Sequence, residues 1–368
     1  MKTSLLLAIT TFVASATFAS INVCNPPSIK LKEPPRLENP DSFSMILFGD
    51  TQTYNKFTFN QPIFELMTAW TASHKDILKI KATLSTGDIV DRNDALILST
   101  TKLPRINGNT PSMDMWQTAA RSYARLDGVL PYILATGNHD YGYNSAENRN
   151  TYFNKYFPIL KNKCWQDCLV STAPNAQGVM SLENAAYEFD DKNWGKILVV
   201  SLEFAPRDCI LEWAKKLTKS DKYKNHKVII LTHSILNTKV NGVKIIEKEK
   251  YKLPEPNWGK AVLEKLVSDS DNIKLVLCGH SGDKTRFCSN LEYKNKAERT
   301  VHIVMFNPQF IMGSDGNGGD GWLRIMEFMP DGKTISMRTY SPLFAVSAIT
   351  QHLAWKKDSE GQFKIEIQ

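Results

Sequence analysis

Short apolar runs that end in polar clusters are the feature that most restricts what this sequence can fold into. Unbroken apolar runs are typical of strands covered on both faces of a sheet, and stretches with helical spacing lie between them. This alternation predicts an α/β protein that begins as a βαβ arrangement. The apolar runs lie at 45–48, 133–135, 197–200, 228–231 and 275–277.

Five polar clusters that each follow a predicted strand carry side chains suited to divalent metal binding. Ligands of an α/β sheet gather at the carboxyl ends of its strands. A single Gly-Asp pair after a strand is usually only a turn, so the prediction depends on five clusters in order. Two carboxylates, an amide oxygen and two imidazoles form a plausible ligand set. The residues expected on this edge are Asp50, Asp88, Asn138, His233 and His280.

The clusters also resemble the motifs of a known superfamily. In chain order they read Gly-Asp-Thr-Gln, Gly-Asp-Ile-Val-Asp, Gly-Asn-His-Asp, Thr-His-Ser and Gly-His-Ser-Gly. From about Ser44 to Gly282 this series resembles the calcineurin-like metallophosphoesterases, and the first motif is similar to that of a secreted subgroup. The resemblance implies the metallo-dependent phosphatase fold, a four-layer α/β/β/α sandwich of two mixed sheets.

The resemblance implies a centre of two divalent metal ions, which would be manganese, iron, zinc or magnesium. In this family pattern Asp88 bridges the two metals. Asn138, His233 and His280 complete the second site, and Asp50 belongs to the first.

The first metal site departs from the family pattern at two positions. Gln52 stands where the family has His, and Gly282 stands where it has the last His. A Gln amide oxygen is a weaker ligand than imidazole, and Gly offers no side chain. We therefore expect Gln52 to contribute to a weak, oxygen-rich first site, while the second site holds its metal firmly. Asp283 is near enough in sequence to substitute.

The implied activity is hydrolysis of a phosphate ester, either a monoester or a diester, by a metal-activated hydroxide. The resemblance places His139 near the leaving oxygen as proton donor or transition-state stabiliser, rather than among the ligands. Asp140 is expected to orient His139.

Two arginines are candidate phosphate contacts, because a guanidinium matches phosphate oxygens in pairs. These are Arg92, in the second motif, and Arg324, in a late strand. For Arg92 an ion pair with Asp91 or Asp94 is an equally good interpretation.

A catalytically silent protein of the same fold is the alternative to an enzyme. With two first-site ligands missing, the chain could act as a binding or host-interaction protein, and the segment 141–182 could carry such a surface on a working enzyme as well. The retained His139 favours the enzyme, because a metal-binding scaffold has no need of a proton donor.

The N-terminus predicts a secreted or periplasmic protein. Residues 1–19 have a positive start, an apolar stretch and a small-residue cleavage site, as in a signal peptide. The apolar stretch is shorter than a spanning helix requires, so no stable membrane anchor is expected. An oxidising compartment makes disulfides plausible. The first candidate pair is Cys164 with Cys168, and a weaker one is Cys278 with Cys288.

The remaining chain divides into a leader and one domain. Residues 20–40 contain five prolines and predict an extended leader, and 41–368 form the metallophosphoesterase domain. Within this domain 141–182 has no clear period and reads as an insertion or lid, and 300–345 read as a β-meander. The net charge of +7 suits a small phosphorylated substrate but is too small for a nucleic-acid-binding module. The oligomeric state cannot be read from the sequence.

Overall fold

Two seven-stranded sheets dominate the computed structural model, which describes residues 33–95, 108–238, 242–311 and 316–367. The predicted signal peptide and residues 20–32 of the predicted leader lie outside these ranges. Residues 36–39 lie against the first sheet, where the backbone amides of Glu38 and Asn39 donate to the buried Glu327 carboxylate at 2.8 and 3.0 Å.

The first sheet combines three parallel strands with an antiparallel C-terminal part. Its strands are β1 (Phe43–Phe48), β2 (Ile80–Ser85), β3 (Tyr132–Leu134), β13 (Leu323–Phe328), β14 (Thr334–Tyr340), β15 (Trp355–Lys356) and β16 (Gln362–Glu366). Their order is β15-β14-β13-β1-β2-β3, and β16 also pairs with β14. The β1-β2 and β2-β3 pairs are parallel. The carboxyl ends of β1 to β3 therefore share one edge.

The second sheet has four parallel strands at its centre. Its strands are β4 (Leu169–Pro174), β5 (Met180–Asp191), β6 (Gly195–Ser201), β7 (Lys227–Leu231), β10 (Ile273–Cys278), β11 (Cys288–Lys294) and β12 (Thr300–Phe306). The order is β11-β12-β10-β7-β6-β5-β4, with β6, β7, β10 and β12 parallel. A small separate hairpin pairs β8 (Leu236–Asn237) with β9 (Lys244–Ile245).

Helices cover the outer faces of both sheets. They are α1 (Gln52–Lys56), α2 (Gln61–Ser73), α3 (Ser112–Tyr123), α4 (Phe153–Tyr156), α5 (Asp208–Lys219), α6 (Gly259–Val262) and α7 (Pro342–Ala345). A π-helical turn, Leu263–Val267, continues α6, and 3-10 turns lie at Ala124–Leu126, Asn138–Asp140, Lys163–Asp167, Pro308–Phe310 and Gln351–Leu353. No helix within the described ranges is long and apolar enough to cross a membrane.

Apolar side chains fill the spaces between the layers. One buried cluster joins the two sheets through residues such as Leu47, Leu231 and Leu277, and extends to α2 and α3. A second cluster, which includes Ala214 of α5 and Leu198 of β6, packs α5 and α6 on the second sheet. These layers confirm the predicted four-layer α/β/β/α sandwich of two mixed sheets.

Part of the segment 141–182 differs from the expected insertion or lid. Its C-terminal third forms β4 and the start of β5, which make the edge of the second sheet. The strand character is hard to see in the sequence because β4 is only half-buried along most of its length.

The disulfide predictions are wrong for the described cysteines, since Cys164, Cys168, Cys209, Cys278 and Cys288 are all free. The Cys168 thiol instead donates to the Cys164 carbonyl oxygen at 3.4 Å. Cys278 lies in the helix-side cluster and Cys288 in the cluster between the sheets, so their side chains are on opposite faces of the second sheet.

Candidate metal centre

A polar pocket lies where the carboxyl ends of the parallel strands of both sheets come together. Turns after β1, β2 and β3 reach it from the first sheet, and turns after β7, β10 and β12 reach it from the second. Its volume is about 540 Å³, and the residues that line it are Gln52, Asp88, Asn138, His139, Asn237, Glu249, Lys250, Tyr251, His280, Gly282, Gln309 and Phe310.

Four predicted ligands present their atoms to one common point. The Nε2 atom of His233 lies 3.3 Å from Oδ2 of Asp88, 3.2 Å from Oδ1 of Asn138 and 3.1 Å from Nδ1 of His280. A tetrahedral metal with bonds of about 2.0–2.1 Å sets its ligand atoms roughly 3.3–3.4 Å apart. These four residues therefore fit a divalent metal ion.

Hydrogen bonds on the far side of each ligand turn its free electron pair toward that point. The Nδ1 of His233 donates to the Thr86 carbonyl oxygen at 2.8 Å, which leaves Nε2 as the acceptor nitrogen. The amide nitrogen of Asn138 donates to the Ser145 hydroxyl at 2.9 Å, which turns the amide oxygen inward. The Oδ1 of Asp88 accepts a backbone amide at 2.9 Å and leaves Oδ2 for the site.

Two of the predicted ligands have strained backbones. Asp88 and His280 have φ values of 49° and 65°, in the left-handed region that non-glycine residues rarely adopt. Such a conformation costs on the order of 1–3 kcal/mol and persists where the surrounding fold imposes it. The turns after β2 and β10 thus hold both side chains at the pocket at an energetic cost.

Buried carboxylates concentrate negative charge at the centre. Asp50 and Asp88 are both almost fully buried. Burial raises the pKa of Asp50 to about 7, and the neighbouring Asp88 carboxylate adds to this rise. Burial alone would lower the pKa of His233, but the carboxylates of Asp88 and Asp50 outweigh it and raise the pKa to about 10. The same two carboxylates would stabilise a metal cation bound at Nε2 in place of that nitrogen's proton.

The first-site carboxylate is already surrounded by hydrogen-bond donors. The Oδ2 of Asp50 accepts from the side-chain amides of Asn307 at 2.6 Å and Gln309 at 3.0 Å. The Oδ1 accepts from the Thr86 hydroxyl at 3.0 Å, and the His280 backbone amide contacts both oxygens. A metal at Asp50 would have to displace some of these donors.

Of the other first-site candidates, Gln52 reaches the pocket and Asp283 does not contribute to it. The Oε1 atom of Gln52 is buried without a hydrogen-bond partner, and the residue lines the pocket. The Oδ1 of Asp283 instead accepts the backbone amides of Thr285 and Arg286 at 2.7 and 2.8 Å, so it closes its own turn. The first site therefore offers fewer free ligand atoms than the second.

His139 faces the pocket, but the structure corrects the orienting role expected for Asp140. The Nδ1 of His139 donates to the Asp91 carbonyl oxygen at 2.7 Å, which leaves Nε2 for the pocket. Asp140 is fully buried, and its carboxylate accepts backbone amides of Gly137 at 2.7 Å and of residues 89–90 at 2.8 and 3.1 Å. Asp140 holds the two motif turns together, and the Asp91 backbone orients the imidazole.

Arg92 forms the ion pair with Asp91 that was the second interpretation of this residue. Its Nη1 lies 2.9 Å from Oδ2 of Asp91, and its Nη2 donates to the Thr110 carbonyl oxygen at 3.2 Å. It is nearly buried and is not among the residues that line the pocket.

Arg324 is not a phosphate contact, because it lies fully buried in the core. Its guanidinium is 4.7 and 5.0 Å from the ring centres of Phe306 and Phe363. Its Nη2 donates to the Thr339 hydroxyl at 2.9 Å and to the Glu360 carbonyl oxygen at 2.8 Å. These aromatic and polar contacts hold the guanidinium within the core, although its Nε has no hydrogen-bond partner.

Three residues with no assigned role in the sequence prediction contact the site. Asn307 and Gln309 follow β12 as the five polar clusters follow their own strands, so the same strand-end rule would have found them. Glu249 lies 3.2 Å from Nε2 of His280 through its Oε1. No apolar run precedes Glu249, and we find no sequence signal for it.

The chain is similar to several known proteins, with low sequence identity to each of those described below. An uncharacterised protein of Bacillus subtilis (strain 168), YvnB, is 24% identical over 306 residues, which are 82% of this chain and 20% of that protein. The chain therefore spans about a fifth of the length of this curated relative.

Solved structures with a similar backbone fold include two phosphatases. A dimetal phosphatase from Danio rerio has a TM-score of 0.47 at 11% identity, covering 89% of this chain and 99% of its own. A purple acid phosphatase from yellow lupin (Lupinus luteus) seeds has a TM-score of 0.46 at 13% identity, covering 90% of this chain and 55% of its own.

The family comparison covers the segment that contains all five motifs. The model of the calcineurin-like phosphoesterases matches residues 43–283, from the first residue of β1 to just beyond the last motif. The chain belongs to the calcineurin-like phosphoesterase family.

Proposed function

We propose that this chain is a metal-dependent phosphoesterase that hydrolyses a small phosphate monoester or diester. The observation that carries the proposal is the second metal site. The free atoms of Asp88, Asn138 and His280 each lie 3.1–3.3 Å from Nε2 of His233, beside an open pocket. Phosphate oxygens can enter such a pocket and meet the ligand cluster.

A metal ion held by Asp88, Asn138, His233 and His280 would supply an acidified water and positive charge for the phosphoryl oxygens. The protein supplies position and a proton. Because Nδ1 of His139 donates to the Asp91 carbonyl oxygen, Nε2 is held toward the pocket. When the imidazole is doubly protonated, it can donate its Nε2 proton to the leaving oxygen and become neutral. Lys250 also lines the pocket and adds positive charge for an anionic ester.

We expect one metal to bind firmly and a second to bind weakly. An imidazole-rich second site suits zinc, iron or manganese better than magnesium. The donors on Asp50 oppose a metal at the first site, although Gln52 still offers a free amide oxygen. A metal content close to one ion per chain after dialysis would support this difference.

The substitution Asp88→Asn tests the activity. Asn tolerates the left-handed backbone at this position better than Ala does, so the variant should fold. Losing one charged ligand should lower the turnover of a generic aryl phosphate monoester or diester, measured with added manganese, by about 100-fold or more. The preferred ester would identify the substrate class.

A matched control is Asp283→Asn, which changes a carboxylate that closes its own turn outside the ligand cluster. Its turnover should equal that of the unmodified protein. Equal turnover of the Asp88→Asn variant and the unmodified protein would contradict the proposed catalytic centre.

A phosphate-binding protein without turnover is the second candidate. The donors that saturate Asp50 and the missing side chain at Gly282 favour it, because a weak first site removes part of the dinuclear machinery. Absence of turnover with both esters across several metals, together with calorimetric binding of inorganic phosphate, would support this candidate over the enzyme.

We also propose that the protein acts outside the cytoplasm. The support is the signal-peptide pattern of residues 1–19. Determining the N-terminus of protein exported by its native host would test the cleavage expected after Ala19.

A further inference from the structure

Glu249 touches the metal centre from a segment that belongs to none of the motifs. It follows β9, and its side chain is 11% exposed. Its Oε1 lies 3.2 Å from Nε2 of His280 and accepts the Ser234 hydroxyl at 2.7 Å. Its Oε2 is buried without a hydrogen-bond partner. The best-placed partner for this buried charge is the imidazole of His280.

The contact determines which nitrogen of His280 carries hydrogen. An ionised carboxylate only accepts hydrogen bonds, so Nε2 must donate. The lone pair then belongs to Nδ1, the nitrogen that lies 3.1 Å from Nε2 of His233. His233 is oriented in the same way, but by the neutral carbonyl oxygen of Thr86. His280 therefore differs from His233 in having a charged partner.

Glu249 is too far out to be a direct member of the ligand cluster. Among the described residues, the acidic and imidazole ligand atoms that all lie within 4.8 Å of one another belong to Asp88, His233 and His280. Glu249 reaches this cluster through the far nitrogen of His280, and it contacts Ser234, which directly follows the ligand His233. It is thus connected to both imidazole ligands.

We propose that Glu249 is a positioning residue that fixes the tautomer and orientation of His280 and strengthens metal binding at the second site. The inference rests on the proposed metal centre but not on turnover. A carboxylate behind a ligating imidazole raises the basicity of that ligand, and loss of such a partner costs about 10–100-fold in metal affinity or activity.

Metal affinity of the full chain tests the proposal. We would strip the protein with a chelator and titrate zinc or manganese by calorimetry. Glu249→Gln keeps a hydrogen-bond acceptor without the charge and should weaken the metal dissociation constant by about 10-fold, while Glu249→Ala should weaken it by up to about 100-fold. The matched control Glu247→Gln alters an exposed residue paired with Lys260 and should bind as the unmodified protein does.

Imidazole nitrogen spectra give a second readout that general loss of stability would not imitate. In metal-free protein, two-bond ¹H–¹⁵N spectra should report His280 protonated at Nε2, and Glu249→Ala should produce a mixture of tautomers. Equal metal affinity of Glu249→Ala and the unmodified protein would overturn the inference, and so would an unchanged tautomer. Weakened binding in a protein that hydrolyses neither ester would support the role of Glu249 while rejecting the proposed enzyme.

Discussion

At the scale of the residue, His139 differs from its neighbours because it faces the pocket without joining the ligand cluster. Its backbone amide donates to Asp88 at 2.9 Å, while its Nδ1 is fixed on the Asp91 carbonyl oxygen. The same residue therefore supports Asp88, a predicted ligand, through its backbone and presents Nε2 to the pocket through its side chain. A substitution that spares the backbone can separate these two contributions.

The substitution His139→Asn should lower turnover while leaving metal binding intact. The Asn amide nitrogen can replace Nδ1 as the donor to Asp91, but nothing replaces Nε2. We expect turnover of the preferred aryl phosphate ester to fall by about 10²–10⁴-fold, the usual contribution of a general acid. The metal dissociation constant should stay within about twofold of the original value. The reason is that the backbone amide of residue 139 still donates to the Asp88 carboxylate. A parallel loss of metal affinity would instead identify His139 as a ligand.

Sequence reasoning at this scale succeeded for side chains that follow strands and failed for the arginines. The strand-end rule places Asp88, His233 and His280 together because a parallel sheet aligns its carboxyl ends. No comparable rule tells whether a guanidinium faces a phosphate or a core. Arg324 stands between Leu323 and Ile325 in β13. Only the packing of Phe306 and Phe363 around it shows that the core accommodates its charge.

At the scale of the element, the turns between strands and ligands are as restrictive as the ligands themselves. Gly137 links β3 to the turn of the third motif, and a Cβ atom there would overlap the Asp88 carboxylate and backbone nitrogen. Its φ of −108° is open to any residue. The glycine is therefore required by the close approach of two turns rather than by its own backbone.

Gly137→Ala should consequently disturb the metal centre. Overpacking of this kind costs about 1–3 kcal/mol, and we expect a lower free energy of unfolding in urea together with weaker metal binding. The comparison is Gly178→Ala, at a surface turn with φ of +77° where a Cβ atom meets nothing within 4 Å. In that variant the substitution adds only local backbone strain, so its metal affinity should not change. Unaltered metal affinity in Gly137→Ala would contradict the proposed crowding.

Elements with both faces buried were predictable, and elements at the edge were not. The run in β10 is apolar at nearly every position and buried throughout, which made it visible. In contrast, β4 is half-buried along most of its length and carries Ser and Thr at its centre. The loop that delivers Glu249 has no periodicity at all, because its position depends on contacts with Ser234 and His280 that are distant in sequence.

At the scale of the whole molecule, the ligand cluster draws equally on both sheets. Asp88 and Asn138 follow strands of the first sheet, and His233 and His280 follow strands of the second. Between the sheets lies the large apolar cluster that contains Leu47 and Leu277. The charged centre thus sits at one end of the same interface that the hydrophobic core occupies.

A metal ion held by ligands from both sheets would act as a removable cross-link, and this has a thermodynamic consequence. Binding to the native state alone stabilises it by about 2.7 kcal/mol when the free metal is at 100 times its dissociation constant. The melting temperature of this protein should therefore rise with free zinc or manganese and fall on chelation, and Asp88→Asn should flatten that dependence. A melting temperature that does not change with the free metal concentration would contradict a metal site formed by residues from both sheets. If the dependence holds, the lifetime of the folded protein would be set by the free metal concentration of its surroundings.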